Sequence, residues 1–451
     1  MKRGGQTNWK RQYKLRHNWT KGSCAVNEIQ VAEEAAVPPI LIQMHDGIIY
    51  MADQIDGLRA WSAKDERKML AHIRFVADLS RSPPTSLAID IQTRNSKFAR
   101  VVAGFENGSY AIYQLNIESQ AFMLQYRHEP SNNGVVTSVS VSWPYLITLT
   151  ATQLLSLYHF QDVPIDLESP TILDPPRLLH SLKSHTVWPP LSTSLRVSST
   201  AITISIAYAM PTYLSGWTVG IQEVKLSADG ALQESRTASA IDQHYRPLAF
   251  ALPPVMAHLG SPGTSLATST TLELRHIHSK PTSLSYTHPY LLVSHPDNTL
   301  TLYLVSSTAD SLSINTGSRL WGHTSSVSGA HVGNRGKAVS ISKRGDELRI
   351  WELEGGFASS AARKRLASSD LSVRVQPERR AKTHSEASGQ AGLDLVSQSE
   401  AATHTSKAPK DEEDAAELTV TRGWIGFDEE SVVVLKEQSQ GRQALVVYDF
   451  T

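Results

Sequence analysis

The 451-residue chain has a single cysteine, Cys24, which excludes an intramolecular disulfide framework and a cysteine-based zinc site and suits a reducing compartment. Neither sign of charge prevails. Lys plus Arg and Asp plus Glu both total 43, so no global field advertises a nucleic acid or a membrane surface as partner, and neither is expected. Long apolar runs are missing as well: the most apolar stretch, Leu248 to Gly260, is interrupted by Pro253 and Pro254. Met1, Lys2 and Arg3 are followed by polar residues and not by the apolar core of a signal peptide, so a soluble protein of the cytoplasm or nucleus is expected. No Gly-x-Ser-x-Gly elbow and no phosphate-cradling loop ending in Gly-Lys-Ser/Thr occurs. His276 and His278 stand two apart with Glu273 nearby, but no third ligand follows at a telling spacing, so neither a metal nor a cofactor is expected.

What the chain does have is repetition. Thr137 to Tyr158 reads TSVSVSWPYLITLTATQLLSLY and Thr282 to Tyr303 reads TSLSYTHPYLLVSHPDNTLTLY, nine identities in 22 residues without a gap, 145 residues apart. The pattern ends in an apolar strand closed by an aromatic residue. That ending recurs at Trp61, Tyr113, Tyr158, Tyr303, Trp351 and Tyr448, with gaps of 52, 45, 145, 48 and 97 residues. These cluster near multiples of roughly 40 to 50, the period of a four-stranded propeller blade. The segments alternate, as in Thr299, Leu300, Thr301, Leu302, instead of showing the three-and-four spacing of a helical solenoid. Repeat folds stack small units into one continuous core, and the length fits seven blades. The expected fold is therefore all-β, a seven-bladed β-propeller with a short N-terminal helix and a disordered insert.

Along the chain, Trp9, Tyr13 and Arg16 recur at helical spacing before Trp19 and a breaker at Gly22, so residues 1–23 are expected to form a helix. Residues 24–355 are assigned to blades one to six, and residues 24–31 are expected to complete the last blade and lock the ring. Blade ranges are 40–63, 85–126, 135–160, 195–239, 281–305 and 320–353. Pro-rich residues 161–192 are expected to connect blades three and four across one face, and residues 240–279 form a second insert. In blade four Gln222 occupies the aromatic position. Residues 356–418 shift to Ala, Ser, Lys, Arg, Glu and Gln, which is disorder by composition, and 419–451 return as the last blade. Within the insert, Arg363, Lys364, Arg365 and then Arg379, Arg380, Lys382 match a bipartite nuclear-import spacing, and Asp411 to Asp414 form a solvating acidic run.

Blade six opens with Gly322 and His323 and closes with SISKRGDELRIWEL, which resembles a WD repeat. The resemblance implies a hydrogen-bonded network of His323, Asp346 and Trp351 fixing the hairpin. The turn here reads Gly345, Asp346, where the family usually has Asp then Gly, so Asp346 sits one residue late. The N-terminal WKRQYKLRHNWTKG is similar to the segment joining an F-box to a WD-repeat propeller in substrate receptors of Skp-cullin-F-box ubiquitin ligases. The matching positions are Trp9, Tyr13, Arg16, Asn18, Trp19 and Gly22. In that family the linker Trp and Tyr pack beneath the box, and Asn-Trp leads through Gly into the first strand. The box itself, a helical module of about 40 to 50 residues in the family, is expected before this linker, and only eight residues precede Trp9.

The resemblance implies a non-catalytic receptor that holds protein substrates, often phosphorylated in this family, and reaches a Skp-type adaptor and cullin when an F-box is present. Arg59 and Arg349, each two residues before a blade Trp, are candidates for a phosphate-reading ring position, against the plainer expectation of solvated strand residues. Two alternatives stand beside it: a WD-repeat scaffold with no ubiquitin role, in which residues 1–22 simply cap the ring, and a propeller enzyme with His, Asp or Glu converging on the channel.

Overall fold

A computed structural model describes residues 9–64, 68–76, 82–90, 97–161, 172–183, 188–211, 216–240, 279–315, 317–333, 335–353, 372–377, 420–438 and 441–451. The chain opens with α1 (Trp9–Lys21) and β1 (Ser23–Ala32). Blade one is β2 (Leu41–His45), β3 (Ile48–Asp53), β4 (Gly57–Ser62) and β5 (Met69–Ile73). Blade two is β6 (Pro84–Ile89), β7 (Phe98–Phe105), β8 (Tyr110–Asn116) and β9 (Ala121–His128). Blade three comprises β10 (Val136–Ser142), β11 (Tyr145–Thr150), β12 (Leu154–His159) and β13 (Arg177–Lys183). Blade four follows as β14 (Trp188–Val197), β15 (Ile202–Pro211), β16 (Trp217–Leu226) and β17 (Leu232–Ser239). Blade five holds β18 (Ser283–Thr287), β19 (Tyr290–Ser294), β20 (Leu300–Ser307), β21 (Leu312–Ile314) and β22 (Ser318–Leu320). In blade six, β23 (Val327–Val332), β24 (Lys337–Ser342) and β25 (Leu348–Glu352) are followed by β26 (Ser372–Arg374). After β27 (Gln376–Pro377), blade seven is β28 (Val420–Phe427), β29 (Ser431–Glu437) and β30 (Gln443–Asp449). Its fourth strand is β1, antiparallel to β30 with Val26 opposite Tyr448.

This is a seven-bladed β-propeller closed by its N-terminal strand. The first strand of every blade touches the first strand of the next, from β2 through β6, β10, β14, β18, β23 and β28 back to β2. Because each blade is covered on both faces, its middle strands are apolar throughout and not in alternation, as in Val432 to Leu435. The two faces still sort by the period of two: Val432, Val434, Val446 and Tyr448 pack against blade six, while Val433, Leu435, Leu445 and Val447 pack against blade one. A hydrophobic wedge of this kind fills every one of the blade-to-blade joints.

All six aromatic strand ends fall on third strands, on β4, β8, β12, β20, β25 and β30, and Gln222 occupies β16 of blade four. The repeated segments coincide as well: β10 to β12 and β18 to β20 share one hairpin plan, and Trp143–Pro144 and His288–Pro289 are both cis. Four of the fourth strands, β5, β13, β21 and β26, fall outside the ranges expected for their blades, whereas β1, β9 and β17 lie where expected or nearly so. Residues 161–192 contain β13 and the start of β14, and within this stretch the Leu173 N–H donates to the Gln125 carbonyl of blade two at 2.9 Å. Leu320 pairs within blade five, not blade six. The segment assigned to disorder, 356–418, contains β26, the outer strand of blade six, and β27, which pairs in parallel with Ser23 and Cys24 of β1.

Strands alternate in direction within each blade, so turns between first and second and between third and fourth strands lie at one end of the ring. Turns between second and third strands, and the blade-to-blade connections, lie at the other. Because β1 is a fourth strand, α1 sits at the first end, called here the helix end.

Candidate functional site: the seated helix, the blade-six network and the channel

One face of α1, from Arg11 and Lys14 to Asn18 and Trp19, is fixed to the helix end, and the face carrying Trp9 and Tyr13 is open. Trp19 is 3% exposed, stacks on Phe450 with ring centroids 4.2 Å apart, and donates its indole N–H to the Glu429 carbonyl at 2.9 Å. The Lys337 ammonium lies 4.1 Å above the same ring, and burial lowers its pKa from the usual lysine range. Asn18 donates to the Phe450 carbonyl at 2.9 Å, and Glu430 joins Arg11 of the helix to Lys64 of blade one, both at 2.9 Å. Gly22 turns the chain into β1 at φ +70°, where a Cβ would stand 2.5 Å from the Arg374 carbonyl oxygen, so no larger residue fits. Trp9 and Tyr13 are 74% and 73% exposed, and Arg16 is exposed. Of the linker positions, then, Asn18, Trp19 and Gly22 attach the helix to the ring, and Trp9, Tyr13 and Arg16 face away from it.

In blade six, the Trp351 indole donates to Ser340 Oγ at 2.8 Å, and Ser340 Oγ is 2.6 Å from His323 Nε2. Glu347 Oε2, 3.5 Å from His323 Nδ1, can only accept, which assigns the imidazole proton to Nδ1 and leaves Nε2 to accept from the Ser340 hydroxyl. Burial holds His323 down to about 4. The acid of this network is Glu347, not Asp346. Gly345 needs its left-handed φ of 71° to close the turn, Asp346 accepts instead from Ser342 Oγ at 2.5 Å, and the next residue reaches the histidine. Glu347 also accepts from Thr324 N–H at 2.8 Å and pairs with Arg349 at 2.8 Å. Gly322 lies against the Arg349 guanidinium.

Neither candidate arginine reaches the channel. Arg59 is 5% exposed on the third strand of blade one, where it pairs with Asp53 and Asp56 and donates to the Val31 carbonyl of β1 at 2.9 Å. Arg349 is engaged by Glu347 and by Ser372 Oγ at 2.9 Å. Both are braces of the ring: Arg59 ties blade one to the closing strand, and Arg349 ties the third strand of blade six to its fourth.

The channel wall is made by first strands and stitched by short polar side chains. Gln43 donates to the Leu87 carbonyl at 3.3 Å, Thr85 to that of Val136 at 2.6 Å, and Ser140 Oγ is 2.8 Å from Thr193 Oγ1. Further round, the Tyr286 N–H donates to Ser192 Oγ at 3.3 Å and the Val332 N–H to Ser285 Oγ at 3.1 Å. The cavity bordered by β2, β6, β10 and β14 is lined by aliphatic residues, Ser, Thr and Gln43, with Trp424 of β28. Among the described residues no group of three or more His, Cys, Asp or Glu could hold a metal ion. His276, His278, Glu273, the basic clusters and the acidic run lie outside the described residues.

Sequence reasoning missed Glu347, Ser340 and the seat formed by Phe427, Lys337 and Phe450. Only Glu347 left a signal, as a carboxylate directly after Asp346.

Fold and site together define a β-propeller of the WD-repeat kind that carries a helix anchored at one end. Residues 24–451 match the family described as F-box protein pof12 beta-propeller, and the chain belongs to that family. Among curated relatives, F-box protein pof12 of Schizosaccharomyces pombe is 39% identical over 64 residues, a match spanning 14% of this chain and 14% of that protein. Solved structures with a similar fold include the WD40 β-propeller domain of Doa1, at 9% identity and TM-score 0.41, covering 94% of this chain and 96% of that one. YCF48 from Cyanidioschyzon merolae is similar at 6% identity and TM-score 0.46, covering 94% and 99% respectively.

Proposed function

We propose that the protein is the substrate-recognition subunit of a Skp-cullin-F-box ubiquitin ligase. In this role it makes no bonds itself and works in the cytoplasm or nucleus, holding a protein substrate on the ring while a tethered conjugating enzyme acts on it. The observation that carries this reading is the division of α1. Trp19 and Asn18 commit the helix to blade seven, and the exposed Trp9 and Tyr13 offer an aromatic surface suited to an F-box packed above. That surface is at the helix end, which leaves the opposite end, with its blade-to-blade connections, for substrate. Membership of a family of F-box-protein propellers supports the same reading.

Affinity capture of the protein from its own cells, read by mass spectrometry, tests it. Recovery of a Skp-type adaptor and a cullin, lost from a Trp9→Ala/Tyr13→Ala variant, is the expected result. Recovery of stable partners with neither of these components would leave a WD-repeat scaffold and remove the ligase assignment.

A further inference from the structure

At the end opposite the helix, blade one carries exposed aliphatic side chains that its fold does not use. Val37, Ile55 and Val76 are 86%, 76% and 44% exposed, and stand on the connection from β1 to β2, on the β3–β4 turn and on the chain leaving β5. Among the described residues, the only other large exposed hydrophobic side chain in a turn or connection at this end is Trp321, between blades five and six. Turns favour Gly, Asp, Asn, Ser and Pro. The β3–β4 turn is made by Asp53, whose Oδ1 accepts from the Ile55 and Asp56 N–H groups at 2.9 and 2.7 Å, and by Gly57 at φ +80°. Ile55 contributes nothing to it.

That turn also joins the three segments. Arg59, paired with Asp53 and Asp56, donates to the Val31 carbonyl, on the strand that leads to Val37. On the other side the His72 ring donates to the Asp56 carbonyl at 2.5 Å, and Gly57 packs against the Ile73 carbonyl, on the chain that leads to Val76. Carboxylates outnumber cations around this shoulder. Glu33, Glu34, Asp53, Asp56 and Glu106 stand on these segments and the neighbouring turn of blade two, and Arg59, Arg74 and, from the turn of blade seven, Arg442 stand against them, a surplus of two negative charges. Arg59 is taken by Asp53 and Asp56, and Arg442 lies 3.9 Å from Glu33. Glu34 and Glu106 are exposed and have no ion pair among the described residues.

An apolar surface edged by carboxylates repels the phosphates of nucleic acid and anionic lipid, and it suits a polypeptide whose aliphatic anchors have basic neighbours. Because buried ion pairs already fix the turn, docking there costs little ordering of the ring. We infer that this shoulder of blade one takes a segment of the substrate protein that combines aliphatic side chains with lysine or arginine. The inference rests on the proposed role of this end in holding substrate.

The test uses the purified full chain and three short fluorescein-labelled peptides, which alternate leucine with lysine, leucine with glutamate, and serine with lysine. Fluorescence anisotropy should show the leucine–lysine peptide binding and the other two at least about tenfold weaker. Ile55→Ser should weaken the leucine–lysine peptide by a similar factor, and the double variant Glu34→Lys/Glu106→Lys should weaken it and improve the leucine–glutamate peptide. Trp321→Ala, at the same end of the ring but between blades five and six, should change neither. A thermal melt confirms that each variant is folded. Equal binding of the three peptides, binding of none, an unchanged affinity in Ile55→Ser, or a loss in Trp321→Ala as large as in Ile55→Ser would each overturn the inference. Cellular protein partners captured equally by wild type and Ile55→Ser would place recognition elsewhere on the ring, which removes this shoulder and leaves the platform reading standing. Capture of no protein partner by either would remove the platform reading itself.

Discussion

Replacing Trp351 with alanine removes the largest fully buried side chain among the described residues, 1% exposed, from the wedge between blades five and six. Truncation of a buried Trp costs about 3–5 kcal/mol through lost transfer energy and the cavity left behind. The hydrogen bond to Ser340 adds to this, because the buried Ser340 Oγ loses its donor. Trp351→Phe separates the two contributions: it keeps most of the volume, loses the donor, and should cost about 1–2 kcal/mol. For a cooperative unit of about 300 residues, an unfolding entropy of about 2.1 cal/mol/K per residue converts 4 kcal/mol into a fall of about 6 °C in Tm. Differential scanning calorimetry of the full chain, with urea unfolding as a second measure, reads both variants. An unchanged melting temperature for Trp351→Ala would refute the blade register, since no buried tryptophan can be lost without consequence. A Trp351→Phe variant as damaged as the alanine variant would instead show that the indole N–H dominates.

The remaining predictions concern the same machinery. Glu347→Gln should destabilise by about 3 kcal/mol or more, because it leaves Arg349 without its buried counter-charge, whereas Asp346→Asn at the exposed turn should cost less than about 1 kcal/mol; the reverse order in urea unfolding would return the network's acid to Asp346. Trp19→Ala should lower Tm by an amount comparable with Trp351→Ala, while Trp9→Ala and Tyr13→Ala should leave it within the range of ordinary surface changes. Burial holds His295, His323 and His331 near 4, so the unfolded chain binds more protons than the folded one between about 6.5 and 4. Stability is therefore fully present above the unfolded value of 6.5 and is lost as pH falls toward 4, at up to about 1.4 kcal/mol per pH unit for each histidine; a His323→Gln variant should show a shallower dependence of Tm on pH. Replacing residues 372–377 with a Gly-Ser linker removes β26 and β27 together and should destabilise the ring and increase exchange of the β1 amides, measured by hydrogen–deuterium exchange; unchanged protection of β1 would count against the pairing of β27 with β1.

The ring was legible because third strands are buried on both faces and end in a large aromatic, so Tyr113, Tyr303 and Trp351 stand out at regular spacing. The closing role of β1 was legible for a related reason: an alternating strand ahead of the first blade has nowhere else to pair. The fourth strands β5, β13, β21 and β26 were not legible. Ser372 to Arg374 and Leu312 to Ile314 are three residues long and face solvent along one side, so neither length nor apolar content separates them from loop. Blade four lost its signal at Gln222, and its joint with blade five holds instead a buried Glu223 paired with Arg236, which no aromatic pattern would reveal. Arg59 and Arg349 shared a ring position as their spacing implied, but a strand position does not tell whether a carboxylate waits beside it, and Asp53 and Glu347 did.

The closure of blade seven also governs how the chain comes off the ribosome. Of the ring's strands β1 is made first and its partner β30 last, so β1 waits through the synthesis of all the other strands for the neighbour it needs. Arg11 and Glu430 can meet only after the 419 residues that separate them in sequence have been added. The six other blades can assemble hairpin by hairpin as they emerge, from local contacts, while the seventh depends on the most distant contact in the molecule. Until then Trp19 and the apolar residues of β1 remain uncovered, so the nascent N-terminal segment is where a chaperone would be needed longest, and a ribosome that stalls before residue 443 releases an unclosed ring.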